Sequence, residues 1–567
     1  MSQVDSSTSP SGWLNMVDPT FVRWGLLCFG ILLLLWKLLR YGMRPKDYPP
    51  GPPTLPVVGN LHVFPKTGIH IQYDKWIKEY GPVVSVQMGG RPLILLGTAT
   101  AVSDLLEKRG AIYSSRWPTF FSHCGGGNNI ALRPNDDGWR RQRKIYHVRL
   151  NAKLSNNYLP YQSFETSKLL FDILENPSGF RKHFERFTIS IGCTIAFGRR
   201  IDSFESPLMK ALMELFHRSL QASKHYQLFD FFGITRYIVH HIPERFSSVK
   251  AEIEDMWRGQ YNLWDQMVAT AKQQIADGKF FPSFTRDMLT QSGGSPKGEL
   301  SPREIAANAG DAWMAATDTQ SNSLLSFIKA MVLYPDVQER ASREIDTKIG
   351  ADKLPGWEDR LELPYMRGCM EETLRWAPTT LTGGPMPHML TKDDYYMGYR
   401  LPAGAGVVNC VWTVNNNPER FPNPREFDPL RFEESGTAIE GFSVINDYSK
   451  RPHVTFGAGR RICPGSHVAE RTVFIAMCRL LWAFEFHPKL DASGKPIPID
   501  RDAFEPGLVA GPAPFDCIIK PRSQEKAQKI QDIWKKAQES LDEEGNYTEE
   551  FFLKNWTADK GPMVKQE

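Results

Sequence analysis

The chain has 567 residues, 41% of them hydrophobic and 12% aromatic, which is enough apolar material to bury a large core. A net charge of +4 on that length is too small to point to nucleic acid as a partner. The eight cysteines (Cys28, Cys124, Cys193, Cys369, Cys410, Cys463, Cys478 and Cys517) include no C-x-x-C pair. That argues against a zinc site and a disulfide framework, and suits a reducing compartment.

Residues 21–39 form an almost continuous apolar run, long enough for one membrane-spanning helix, with Trp24 and Trp36 near its two ends. No small-x-small cleavage site follows, which disfavours a removable signal peptide. Lys37, Arg40, Arg44 and Lys46 outweigh the single Arg23, so residues 1–20 are expected in the lumen and everything after the span in the cytosol. The sequons at Asn546 and Asn555 should then remain unglycosylated. Residues 40–53, ending Pro49-Pro50-Gly51-Pro52-Pro53, read as a basic and stiff proline-rich hinge.

Residues 54–522 read as one mainly α body with a minor β portion. Val83 to Met88 and Pro92 to Leu96, bounded by Gly-Pro and Gly-Gly, predict a hairpin. Helical spacing appears over Ala99–Lys108, Asp137–His147, Pro207–Ser223, Ser248–Ala276, Pro302–Tyr334 and Pro335–Ile349. Gly293-Gly294-Ser295-Pro296 predicts a surface loop, and a proline-rich meander runs through Pro418 to Phe432. In the charged tail, residues 523–567, Ile530, Ile533, Trp534, Ala537 and Leu541 fall on one helical face. They either dock on the body or the tail is solvated; the spacing alone does not choose.

The most specific feature is Phe456-Gly457-Ala458-Gly459-Arg460-Arg461-Ile462-Cys463-Pro464-Gly465. Glycines at 457, 459 and 465 let backbone lie against a large flat group. With Pro464 as its first residue, a helix would begin at the Cys463 sulfur and favour the thiolate. Amide donors to the sulfur would come from Gly465 or Ser466, since proline has no N–H. Arg461 supplies a cation suited to a carboxylate. The plain alternative is a structural cysteine in a glycine-rich loop. A chance match to five fixed positions in a chain this long is about one in several thousand.

The pattern F-x-x-G-x-R-x-C-x-G resembles the signature of the cytochrome P450 family, the haem-thiolate monooxygenases, and the resemblance extends over roughly Tyr48 to Arg522. Leu105 to Arg116 and Tyr334 to Asp346 look closest to fungal secondary-metabolism members. The resemblance implies haem b as cofactor, with Cys463 as the axial iron ligand and Phe456, Gly459, Arg461 and Gly465 around it. Trp139 and Arg143, in a W-x-x-x-R, and His388, after Pro387, are implied at the haem propionates. Ala315-Ala316-Thr317-Asp318-Thr319-Gln320 resembles the distal A-G-x-D/E-T-T/S motif, so Asp318 and Thr319 are implied as a proton-relaying acid and alcohol. Ala316 and Gln320 depart from that pattern: the first is a change able to tighten the oxygen groove, the second removes a hydroxyl one residue along, and the sequence does not give the effect of either. Glu372, Arg375 and Arg431 resemble a structural charge triad, although Leu430 replaces an expected Glu.

The resemblance further implies O2, a separate NADPH–cytochrome reductase and the endoplasmic reticulum membrane. The substrate implied is a small apolar molecule. It is expected to meet Arg116 to Leu132, Phe216 to Ile242, Thr379 to Met386 and Gly507 to Pro514; Phe120, Phe121, Phe229, Phe231 and Phe232 either line an aromatic-rich pocket there or are plain core. Arg140, Arg141, Lys144 and Arg149 form a basic patch, read either as a docking face for an acidic reductase or as an ordinary solvated face. Two rivals are a haem-thiolate isomerase or dehydratase, which usually lacks the acid–alcohol pair, and a non-catalytic haem-binding protein.

Overall fold

The apolar N-terminal run forms one helix, α1 (Pro19–Arg40), with Lys37 and Arg40 in the last turn, where cations suit the helix dipole. In the computed structural model, which describes residues 19–225, 230–232, 237–239, 241–290, 300–383, 386–433, 445, 447–505, 507 and 509–556, none of this helix is buried against the body. Residues 1–18, the loop at Gly293 to Pro296 and the last eleven residues, 557–567, lie outside the described residues. The proline-rich hinge is sewn to the body. Ser85 donates its N–H to the Pro50 carbonyl (2.9 Å), and the Asn60 amide donates to Pro52 and Pro53 (3.1 and 2.8 Å). Gly51 is required there, because a Cβ would stand 2.1 Å from the Ser85 carbonyl oxygen.

The expected hairpin is present as β1 (Val83–Met88) and β2 (Arg91–Leu96), joined by an antiparallel register. It continues into a five-stranded sheet with β3 (Ser115–Arg116), β4 (His388–Met389) and, after the small hairpin β5 (Asp394–Tyr396) and β6 (Tyr399–Leu401), β7 (Gly406–Asn409). The strand order is β1-β2-β7-β4-β3, and a separate pair joins β8 (Phe484–Pro488) to β9 (Cys517–Pro521). Register in β3–β4 sets Arg116 opposite His388.

Helices make up the rest of the framework: α2 (Asp137–Arg149), α3 (Leu159–Glu175), α4 (Phe180–Phe197), α5 (Pro207–His225), α6 (Ser248–Ala276), α7 (Pro302–Leu333), α8 (Pro335–Lys348), α9 (Pro364–Trp376) and α10 (Ser466–Ala483). Their ends follow local chemistry. Ser301 and Glu304 form a capping box at the start of α7, Pro302 occupies its first turn, and Pro335 ends it at Leu333. Ser247 caps α6 and Asp136 caps α2. The segment expected as one helix over Ala99–Lys108 changes pitch at Ser103, and Ser103–Lys108 is a π-helical turn. α7 crosses the centre of the body and packs along α4, which is buried almost throughout.

The body continues past Arg522. α11 (Gln524–Ala537) docks Ile530 and Trp534 into the core, and α12 (Glu549–Asn555) follows with Tyr547 and Phe552 fully buried. Tyr547 donates its hydroxyl to Glu165 (3.1 Å), and Asn546 accepts the Arg200 N–H (2.8 Å). The amphipathic face of the tail therefore docks, and the Asn546 side chain is engaged with the body.

Candidate active site

Cys463 lies between a short 3-10 turn, Gly459–Arg461, and α10. The helix starts at Ser466 with Gly465 as its cap, so Pro464 sits in the turn before it, later than the spacing predicted. The Gly465 and Ser466 N–H groups face the Cys463 sulfur, and the Cys463 N–H donates to the Phe456 carbonyl (2.9 Å). Burial nevertheless pushes the thiol up, against those N–H groups and the nearby Arg143. A metal ion bound at the sulfur would favour the thiolate over the thiol. Gly457 has φ +79° with open space where a Cβ would stand. Gly459 (φ +63°) is needed for another contact, because its Cβ would stand 2.0 Å from the Leu106 carbonyl oxygen in the π turn.

A wall of cations stands beside this loop. Arg143, on α2, donates to the Ile462 carbonyl. Trp139, one turn earlier, lies under the Arg461 guanidinium at 4.0 Å. Arg461 donates to the carbonyls of Ser114 (2.8 Å), Ile130 (3.1 Å) and Arg133 (2.7 Å). His388 donates from Nδ1 to the Tyr113 carbonyl (2.9 Å), and burial with Arg116 nearby holds the ring neutral. Arg116, which sequence reasoning placed only among substrate contacts, is 8% exposed and donates to Ala131 (3.1 Å) and Met386 (2.6 Å). Among the described residues Arg116, Arg143 and Arg461 form no ion pair, and burial pulls the pKa of each down. A guanidinium does not shed its proton, and the carbonyls it meets satisfy its N–H groups without neutralising its charge, so an anion among these three cations would relieve the cost of burying them. A flat cofactor bearing carboxylates, ligated by sulfur, fits these residues.

On α7, residues 311, 315, 318 and 319 share one face. Thr319 donates its hydroxyl to the Ala315 carbonyl (2.9 Å), and Ala315 itself is exposed. Burial, with Glu185 and Glu505 adding like charge, pushes Asp318 up to about 7. Asp311 was not anticipated, although its place on this face was a legible signal. It accepts from the Asn129 amide (2.6 Å) and the Ile130 N–H (2.8 Å), tying the loop before α2 to α7, and burial pushes it up to about 8. Gln320 is buried, away from the face of Ala315 and Thr319.

Glu372 and Arg375 are fully buried and form a two-bonded pair (2.6 and 2.7 Å). Arg431 joins them at 3.4 Å, and Glu372 also accepts the Asp428 N–H (2.9 Å). Leu430 is 49% exposed, which explains how it stands in for a charged residue.

Two alternatives left open by the sequence are narrowed. Among the described residues the phenylalanines do not form one pocket: Phe120 is core, Phe121 packs on Trp257 (5.0 Å), Phe231 packs against the core cluster of the β1–β2 hairpin and the Phe232 ring lies against Gly89, while Phe229 lies outside the described residues. The basic patch is mostly neutralised, with Arg140 on Asp137 (2.6 Å), Arg141 on Glu304 (3.2 Å) and a buried Arg149 on Asp287 (2.6 Å). Charged side chains this close find acids on their own surface before any partner arrives.

A thiol aimed from a glycine-rich loop, a cationic wall for carboxylates and an acid–alcohol pair on a central helix define a haem-thiolate protein. The Cytochrome P450 family model matches residues 49–518, and the chain belongs to that family. It is similar to cytochrome P450 monooxygenase fogE of Aspergillus ruber, 39% identical over 523 residues that cover 91% of this chain and 95% of that protein. It is also similar to cytochrome P450 monooxygenase virE of Hypocrea virens, at 36% identity over 92% of this chain and 94% of that protein. A zebrafish cytochrome P450 solved with abiraterone shares the fold at TM-score 0.62 and 21% identity, covering 80% of this chain and 100% of its own. The protein is thus an oxidoreductase with the P450 fold, and haem is its cofactor.

Proposed function

We propose that this protein is a membrane-anchored haem-thiolate monooxygenase. It hydroxylates, epoxidises or oxidatively closes a ring on a small apolar natural product. Electrons come from NADPH through a separate reductase, and the body faces the cytosol at the endoplasmic reticulum. One observation carries the reading: α7 presents Asp318, a half-buried acid whose pKa is pushed up to about 7, followed directly by Thr319. A general acid works best with a pKa near the working pH.

Bound through Cys463, haem supplies the iron whose thiolate push favours dioxygen cleavage. The protein supplies everything around it. Arg116, Arg143 and Arg461, with Trp139, hold the propionates, and a propionate beside His388 would favour the doubly protonated ring, whose second nitrogen can donate to it. Gly465 and Ser466 donate N–H to the sulfur. Asp318 takes protons from the Glu185–Glu505 side and passes them to Thr319, which positions water or oxygen.

An isomerase or dehydratase has no use for such a relay, and a sensor has no use for NADPH. The test supplies haem-loaded protein with a fungal cytochrome reductase, NADPH and an extract of the native host lacking this gene. A product heavier by one oxygen, or lighter by two hydrogens, formed only with NADPH supports the reading. Conversion without NADPH overturns it in favour of the isomerase, and binding without conversion in favour of the sensor.

A further inference from the structure

Ala316 stands where the family's distal motif has glycine, and its neighbour on α4 is a glycine. Gly192 on α4 lies so close that a Cβ there would stand 2.9 Å from the Ala316 Cβ and 3.4 Å from the Trp313 carbonyl oxygen. One turn earlier on the same face of α4, Thr188 is fully buried and donates its hydroxyl to the Thr317 carbonyl (2.7 Å). Two consecutive residues of α7, 316 and 317, are therefore gripped by one face of α4, and the next two are Asp318 and Thr319. The gripping helix is itself fixed from behind. Ser190 donates to Glu165 (2.8 Å), Arg186 pairs with the same carboxylate (2.6 Å), and Glu165 accepts the Tyr547 hydroxyl (3.1 Å).

We propose that Gly192 and Thr188 are positioning residues for the oxygen groove: Gly192 leaves the space that houses the Ala316 methyl between α4 and α7, and Thr188 fixes the Thr317 carbonyl. The methyl is then turned towards α4, and the groove keeps the width that a glycine would give it. Ala316 then does not tighten the groove, and the proposal rests on the reading of α7 as the oxygen-side helix. Close-packed interiors do not absorb an added methyl silently, so the two positions must trade volume.

The test is infrared spectroscopy of the carbon monoxide complex of haem-loaded, reduced full-length protein, with thermal unfolding in parallel. The C–O stretch reports crowding and polarity at the groove, which a general loss of stability does not move. Ala316→Gly should leave the C–O band in place while lowering the melting temperature, since glycine weakens a helix interior. Gly192→Ala should shift the band, and Gly192→Ala combined with Ala316→Gly should return it. Thr188→Val should shift the band and Thr188→Ser restore it. A band displaced by Ala316→Gly alone puts the methyl in the groove and overturns the proposal, even if Gly192→Ala does not fold. Failure of the double variant to restore the band, or a silent Thr188→Val, overturns it as well. A wild-type complex without the thiolate-type visible band instead overturns the underlying reading, and the proposal with it.

Discussion

Glu165→Gln is the most informative perturbation of the body, because one carboxylate holds together three elements far apart in sequence. Glu165 on α3 is fully buried and faces Arg186 (2.6 Å) and Arg200 (2.8 Å), whose side chains are 3% and 0% exposed. It also accepts hydroxyls from Ser190 (2.8 Å) and, from the C-terminal segment, Tyr547 (3.1 Å). Removing one partner of such a buried cluster costs about 3–5 kcal/mol, because the remaining charges stay buried. Asp172, 3.3 Å from Arg186, and Asp202, 2.7 Å from Arg200, retain part of the pairing, so about 3 kcal/mol is expected. Tyr547→Phe removes a single hydrogen bond to a charged group and should cost about 1.5 kcal/mol. The two variants share Glu165, so the double variant should lose less than their sum.

The assay is denaturant unfolding of haem-loaded full-length protein, reading midpoints at unchanged slope. Its pH dependence adds a second constraint. Burial works against the Glu165 charge, but Arg200 and Arg186 prevail and hold the carboxyl below its ordinary 4.5. A depressed folded-state pKa stabilises above the unfolded value and is lost as pH falls through the folded one. The gap between wild type and Glu165→Gln should therefore narrow on acidification below about 4.5. A loss under about 1 kcal/mol, or a Tyr547→Phe as costly as Glu165→Gln, would falsify the account of the cluster.

Arg116→Leu should destabilise the haem-loaded protein and stabilise the haem-free one, since it deletes a buried cation without an acid; unfolding of both forms checks this, and shifts of the same sign would refute it. Asp318 is protonated below about 7, so the share of electrons lost as peroxide should rise as pH climbs through 7, and Asp318→Asn should flatten that profile. Glu505, paired with Arg181 at 3.7 Å on the outer side, adds like charge to Asp318, and Glu505→Gln should move the midpoint down; an unmoved midpoint removes Glu505 from the relay.

Locally encoded features were legible. The Ser248–Ala276 helix follows from apolar spacing behind a serine cap, and the Cys463 loop from its fixed positions. What escaped depends on contacts between distant segments. Arg116 meets His388 only through the β3–β4 register, and the order in which short strands pair is not written in either strand. The C-terminal segment carried an apolar stripe, but Tyr547 has no visible reason to be buried until Glu165 is seen beside it, 382 positions away. The π turn at Ser103–Lys108 was hidden because its composition is that of an ordinary helix, and only then does Gly459 show its neighbour.

The departures from the family's pattern turn on what each side chain faces, which a motif does not state. Leu430 replaces a charged residue at a position half open to solvent, where the Glu372–Arg375–Arg431 cluster closes without it. Gln320 replaces a hydroxyl at a buried position, so the alcohol facing the groove is still Thr319. Ala316 adds a methyl opposite a glycine on another helix, 124 residues earlier in the chain. In each case the surroundings absorb the change, and Asp318 and Thr319 keep their face of α7. A departure becomes a change of function only where its neighbour offers no such relief, and under the proposal above Gly192 belongs with the distal motif as much as the residues on α7 do.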